Sequence, residues 1–252
     1  MIERNLRLER IGYIVSPLIV IMIWKIVTYL RIFDPVILPS PESVGQAFLG
    51  EMVSGELLKH IQISLYRVFL GFGIGSAMAV SLGLLIGWSE KAKSFVDPIV
   101  EIVRPIPPMA WIPLSILWFG IGELPKIFII ILGVFFPVLT NTVVGVKSIE
   151  KGLLKLARSM GLKGFTLFKE VIVVGASPFI ITGLRIGLGF GWMCLVTAEL
   201  IAAQAGLGYM IEEAKMLLLT NKVILGMLTI GFLGILIDRL IVRLEKIVLP
   251  WW

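Results

Sequence analysis

Few residues in this 252-residue chain could make or break a covalent bond, and their spacing argues against it. His60 is the only histidine and Cys194 the only cysteine, which excludes a multi-histidine metal site, a cysteine-based one and an internal disulfide. No Gly-x-x-x-x-Gly-Lys-Ser/Thr loop occurs, so the chain lacks that cradle for ATP. No Ser–His pair or carboxylate cluster stands out, which disfavours a membrane-embedded enzyme. What remains are ionisable groups set in oil. Glu199, Arg104 and Arg185 fall inside long apolar runs, where charge is costly and points to transport, gating or an ion pair. Glu101 and Arg104 lie one helical turn apart and could pair. Arg185 sits near one end of its run and could snorkel or pair.

The other chemistry is recognition. The stretch Lys147–Pro178 reads KSIEKGLLKLARSMGLKGFTLFKEVIVVGASP and is the one long charged segment in an apolar sequence. Leu153, Leu156, Ala157, Met160 and Gly161 recur at three- and four-residue spacing and share one face of a short helix. Lys151, Lys155, Arg158 and Ser159 fall largely elsewhere. Gly161-Leu162-Lys163-Gly164 then breaks the helix, and a second short apolar run starts at Phe165. Such a helix-turn-helix either lies in lipid headgroups or docks on a partner.

The elements that must hold these residues are membrane spans. Mean hydropathy is +0.98 and 58% of residues are hydrophobic, too apolar for a soluble domain. The expected fold class is therefore all-α and polytopic, one domain over 1–252, with six spans near 11–30, 64–88, 98–120, 124–146, 171–203 and 223–242. No small-x-small cleavage site follows the first run, so it reads as a retained span. The net charge of +6 sits at helix ends and does not indicate nucleic-acid binding. With the N-terminus inside, fourteen Lys and Arg face one side, among them Arg4, Arg7, Arg10 and the 147–170 loop, against six on the other, including Lys59, Arg67 and Lys126. This bias puts both termini and the charged loop in the cytoplasm.

Connectors and packing follow. In RIFDPVILPSPESVGQAF, Pro35, Pro39 and Pro41 enforce an extended chain and Ser40 or Ser43 caps a short helix. Gly71, Gly75, Ala79, Gly83 and Gly87 recur every fourth residue, as do Gly183, Gly187 and Gly191, for close helix packing within one subunit or across a dimer. Pro105, Pro107, Pro108 and Pro113 interrupt the third span, and the freed carbonyls need protein or a wet cavity. The segment 204–221, with Met210, Ala214, Leu217 and Leu218 on one face, reads as an outer re-entrant or interfacial helix, a plausible lid.

The charged loop resembles the EAA loop of permease subunits of ABC importers. Ala157 and Gly161 match the second Ala and the Gly of that pattern, while Lys155 and Leu156 stand where the family has Glu and Ala, and Val173-Val174 replaces its Leu-Pro. LPSPESV, RPIPPMAWIPLSILWFGIGE, TGLRIGLGFGWMCLVTAEL and GLGYMIEEA are similar to the nitrate/sulfonate/taurine/bicarbonate branch, so the resemblance runs from about Leu38 to the C-terminus. It implies a type I importer permease fold, a homodimer in the prokaryotic inner membrane, an external solute-binding protein, and cytoplasmic ATPase subunits that bind the ATP and Mg. This chain itself would be no enzyme and hold no cofactor. The residues expected to engage the ATPase are Leu153, Lys155, Leu156, Ala157, Met160, Gly161, Leu162 and Phe165. Those expected along the solute path are Arg104, Trp111, Trp192, Met193, Thr197 and Glu199. A heteroaromatic vitamin precursor as solute, an ATP-independent secondary transporter and a structural scaffold are the competing readings.

Overall fold

The computed structural model describes residues 2–248, with side chains from 15 to 247 except Leu244. Eleven α-helices, a 3-10 turn at Pro108–Trp111 and a π-helical turn at Phe168–Val173 follow one another among these residues, and no strand does. Helix α1 is Ile2–Tyr29, α2 Pro41–Ser54, α3 Glu56–Trp88, α4 Glu90–Val103 and α5 Ile112–Phe119. After these come α6 Glu123–Lys147, α7 Lys151–Ser159, α8 Gly164–Leu167, α9 Val174–Ala202, α10 Leu207–Met216 and α11 Thr220–Val248. Four membrane-length apolar helices are present: α3, α6, α11 and the continuous run Gly164–Ala202. Of the expected first span, Val15–Tyr29 of α1 is apolar but shorter than the four membrane-length helices; the side chains of Arg4, Arg7 and Arg10 lie outside the described residues.

The centre is α6, packed on α3 and on α9. The glycine stripes make this possible. A methyl on Gly71 would lie 2.6 Å from Ile130 Cγ2, one on Gly83 2.7 Å from Thr142 Cβ and one on Gly87 2.5 Å from Val146 Cβ. The contacts climb both helices in the same order, so α3 and α6 run parallel. On the other side of α6, Gly191 faces Val134, Gly187 faces Val138 and Gly183 faces Asn141, an antiparallel pairing with α9. Lipid supplies no hydrophobic drive for helix association, so close backbone approach must supply dispersion instead. Gly187→Val should therefore cost about 1–3 kcal/mol by overpacking against the backbone oxygen of Val134, 3.1 Å from the added atom. Gly189→Val, with nothing within 4 Å, should cost almost none. Thermal melts of the two variants in one detergent check the contrast.

Two parallel spans need a return between them, and the third expected span provides it in altered form. It is not one helix. α4 and the Pro108–Phe119 segment meet at 84°, with Pro105 and Pro107 in the corner. Prolines remove backbone donors, so the α-helical ladder cannot cross this corner. Glu101 and Arg104 both point outward, and the ion pair expected between them is not among those of the described residues.

Connectors obey local chemistry. Ser40 caps α2 by accepting from the Ser43 N–H, with Pro41 in the first turn, and Gly55 ends it at φ 79°. The Ser89 side chain caps α4 through the Ala92 N–H. α10 buries Leu207, Met210 and Ala214. Leu217 and Leu218, expected on the same face, are exposed, because the helix stops at Met216 and Leu218 turns at φ 56°.

Candidate functional site

Three places on this scaffold gather the residues singled out above. The first is the 147–170 loop. α7 leaves α6 through Ser148, and Leu154 and Ala157 turn inward: Ala157 is buried, and Leu154 packs on the cluster of Val146, Ile172 and Ala176. Leu153, Leu156, Met160 and Phe165 turn outward, with exposures of 48, 57, 75 and 76%. The expected single apolar face is therefore split. One side seats the helix and the other offers bare hydrocarbon among Lys151, Lys155 and Lys163.

Gly161 fixes where that bare side points. Its φ is 89°, its N–H donates to Arg158 O and the Leu162 N–H donates to Ala157 O. This double bond pattern is a Schellman cap, which needs a left-handed residue after the helix. Beyond it, Phe168 lies edge-on to Trp88 at 5.8 Å between ring centroids and stacks with Phe165 at 6.3 Å. A π-helical turn, Phe168–Val173, then joins α8 to α9 without a break. The whole rod of 39 residues is about 58 Å long, well beyond the roughly 30 Å of bilayer hydrocarbon. Its α8 end cannot all lie in lipid unless strongly tilted, and α7 is anchored to that end.

The second place is a cavity of about 340 Å³ where the α4–α5 corner crosses α6 and α9. Arg104, Pro108, Phe136, Asn141, Ile186 and Phe190 are among its walls, and Thr140 adds a hydroxyl. Asn141 Nδ2 donates to Pro137 O at 2.9 Å. Of the residues expected along a solute path, Arg104 lines this cavity. Met193 is 67% exposed on the same helix as Phe190, and the Thr197 hydroxyl donates back to Met193 O at 3.0 Å. Trp111 pairs with Trp118, 6.3 Å between rings, at the start of α5. Trp192 and Glu199 are buried and neither lines this cavity; Trp192 instead borders a small pocket of about 100 Å³ beside Arg185 and Asp238. Asn141 and Thr140 were not foreseen; the polar run Thr140-Asn141-Thr142 within an apolar span was the signal for them. Arg185 lies apart from the cavity, forked onto Asp238 of α11 at 2.8 and 3.1 Å.

The third place is the opposite end of the bundle from the loop. Glu199, 1% exposed, accepts from Ser64 Oγ at 2.9 Å, from Arg67 at 2.7 Å and from the Gly208 N–H at 2.9 Å. Arg67, 2% exposed, also forks onto Glu123 at 2.6 and 2.7 Å and donates to Ala205 O. Lys126 completes the cluster at 2.9 Å from Glu123. Ser64 Oγ receives the Leu207 N–H and His60 Nδ1 receives the Gly206 N–H, so the turn from 203 to 208 hangs on α3 and α9 by its backbone. Gly206 is at φ 120°, and a methyl there would fall 2.3 Å from Glu199 Oε1. His60 is thus a backbone acceptor, and Arg67, counted in the sequence only as a flanking cation, is the hub of the cluster.

Comparison with known proteins places this scaffold. The family described as "binding-protein-dependent transport system inner membrane component" matches residues 71–249. The putative aliphatic sulfonates transport permease protein SsuC of Bacillus subtilis is 38% identical over 235 residues, covering 93% of this chain and 85% of the relative. The taurine transport system permease protein TauC of Escherichia coli is 37% identical over 238 residues, covering 92% and 86%. Among solved structures, a chain of the MetNI methionine ABC transporter in inward facing conformations aligns with a TM-score of 0.56 at 23% identity, covering 76% of this chain and 98% of that one.

Proposed function

Because the chain belongs to the family of binding-protein-dependent inner-membrane transport components, we propose that it forms, as a homodimer, the passage of an importer for small organic sulfonates, driven by separate ATPase subunits seated on residues 147–170. It is an inner-membrane permease subunit with the helical fold of an ABC importer. The observation that carries the coupling reading is the bare row Leu153, Leu156, Met160 and Phe165, exposed on α7 and on both sides of the Gly161 cap. An apolar helix face set into a partner's groove is an established recognition mode. Lys155 makes the face basic where the family carries Glu, so an acidic groove rim is its complement.

On this reading the 147–170 loop and both termini are cytoplasmic, as the Lys and Arg bias requires. The partner subunits bind ATP and Mg. An external binding protein delivers solute to the opposite end, where the 204–221 segment lies. Loop motion passes along the unbroken rod from α8 to Glu199, and tilting that rod opens the passage alternately. Arg104, Met193, Thr197 and Trp111 face the path, with Trp192 and Glu199 positioning the helix behind them.

Sulfonate is favoured because the relatives above are named for aliphatic sulfonates and taurine. Arg104 fits such an anion: a guanidinium lining the same cavity as the hydroxyl of Thr140 and the amide of Asn141 can donate to the oxygens of a sulfonate. The test is uptake of labelled taurine into liposomes holding the permease, its ATPase and its binding protein. ATP-dependent uptake competed by alkanesulfonates is expected, and Arg104→Gln should raise KM on the order of tenfold. Uptake that persists without ATP would defeat the reading in favour of a secondary transporter. Competition by a heteroaromatic vitamin precursor but not by sulfonates would overturn the solute class.

A further inference from the structure

A groove of about 540 Å³ lies between α1, α2, α3 and α11, apart from the loop, the cavity and the charge cluster. Its walls include Trp24, Gly45, Phe48, Leu58, Leu228 and Phe232. Phe48, Leu58, Leu228 and Phe232 are exposed hydrocarbon on that surface. The one hydroxyl in the lining, Thr229, is spent on Leu225 O at 2.8 Å, so the groove offers no free polar partner to water. It follows α11 from Leu225 to Leu233, about 12 Å at the helical rise, from near one membrane boundary toward the middle.

The mouth is chemically different. Trp24 Nε1 donates to Pro39 O at 3.0 Å, an indole placed as interfacial tryptophans are. Next to it Lys25 Nζ sits 2.6 Å from Glu42 Oε1, with both side chains more than half exposed. The Lys25 hydrogen bond holds the Glu42 carboxyl below its ordinary range, and this ion pair adjoins the lining residues Trp24 and Pro41 at the rim.

An apolar slot that starts at a tryptophan and an exposed ion pair and descends along a spanning helix has the polarity profile of a lipid. We infer that this groove binds one chain of a membrane phospholipid whose zwitterionic headgroup rests on the rim, its phosphate on Lys25 and its ammonium on Glu42. The charge arrangement selects this occupant over a helix of a second copy. A passing helix would cover the slot with side chains and gain nothing from exposed charges of both signs at one end.

Gly45 supplies the test. A Cβ there meets nothing within 4 Å, and the same holds for Gly50 on the same helix, which does not line the groove. Gly45→Trp starts its side chain in open space on the groove wall and occupies the slot, and Gly50→Trp is the control for a bulky residue on α2. The purified transporter is loaded with palmitoyl-oleoyl phosphatidylethanolamine and its retained lipid counted by native mass spectrometry. Gly45→Trp should lower retention at least about tenfold, since losing two buried methylenes already does so, while Gly50→Trp should leave it unchanged. Replacing Lys25 and Glu42 together by Gln should erase the preference for phosphatidylethanolamine over phosphatidylglycerol. Equal retention by wild type and Gly45→Trp overturns the inference. So does an unchanged headgroup preference, or a Gly45→Trp protein that alters its subunit number in place of its lipid count.

Discussion

Glu199→Ala is expected to destabilise the folded protein by about 3–5 kcal/mol, the range seen when one member of a buried ion pair is removed. For a domain of this size that corresponds to a fall in Tm on the order of 10 °C. The reason is what the alanine leaves behind. Arg67, 2% exposed in the wild type, keeps Glu123, but its Nη1, now shared between Glu199 and Ala205 O, loses the carboxylate and keeps only the carbonyl. The Ser64 hydroxyl and the Gly208 N–H lose their acceptor in the same step. A buried donor left without a partner costs its desolvation.

The double variant Arg67→Met, Glu199→Gln separates this account from simple loss of packing. It removes both buried charges, leaves Glu123 to Lys126, and keeps an amide oxygen for Gly208. It should therefore be more stable than Glu199→Ala alone, although it carries two changes. Melting curves of the three proteins in the same detergent decide. A double variant weaker than the single, or a single that loses less than about 1 kcal/mol, would mean the pair does not hold the 203–208 turn. Gly206→Ala belongs to the same experiment. It strains a φ of 120° and pushes a methyl into the carboxylate, so it should mimic Glu199→Ala without removing a charge.

The cluster also marks the boundary of what the sequence discloses. That Glu199 must have a reason to sit in an apolar run follows from the cost of burying it, and that much is local. Its partner is not local. Arg67 lies 132 residues away and, read along the chain, is one more cation near a span end. The glycine stripes were legible for the same reason Glu199 was, since spacing by four defines a face whatever the partner. Which helix they meet required the fold: both stripes converge on α6, which carries Gly133 and Gly145 in turn against Cys194 and Phe179. Prolines between 105 and 113 announced a break but gave no angle. The return of the chain at 84° comes from two parallel spans needing to be joined. In α7, periodicity found one apolar face, whereas Leu154 seats the helix and Leu153 and Leu156 beside it stay bare. A hydrophobic period counts apolar positions; it cannot say which of them a second polypeptide covers.

Leu156→Asp turns that bare face into the second large expectation. Leu156 is 57% exposed and packs on no core cluster of this chain, so the change should alter stability by no more than about 0.5 kcal/mol. In the assembled importer it places a charge in the middle of the apolar row, where central interface residues cost about 2 kcal/mol or more, or roughly 30-fold in affinity. Retention of the ATPase subunits on the tagged permease and ATP-dependent uptake should fall together by that order, with the melting temperature unmoved. Gly161→Trp attacks the same contact from the other side. The row stays apolar, but a non-glycine residue at φ 89° breaks the cap and re-aims Met160 and Phe165. It should keep ATP hydrolysis by any retained partner while severing it from uptake, because the helix still binds but no longer at the angle that moves α9. Leu156→Asp permease that holds its ATPase and transports at the wild-type rate would show that the row meets lipid instead, and the force would have to enter elsewhere.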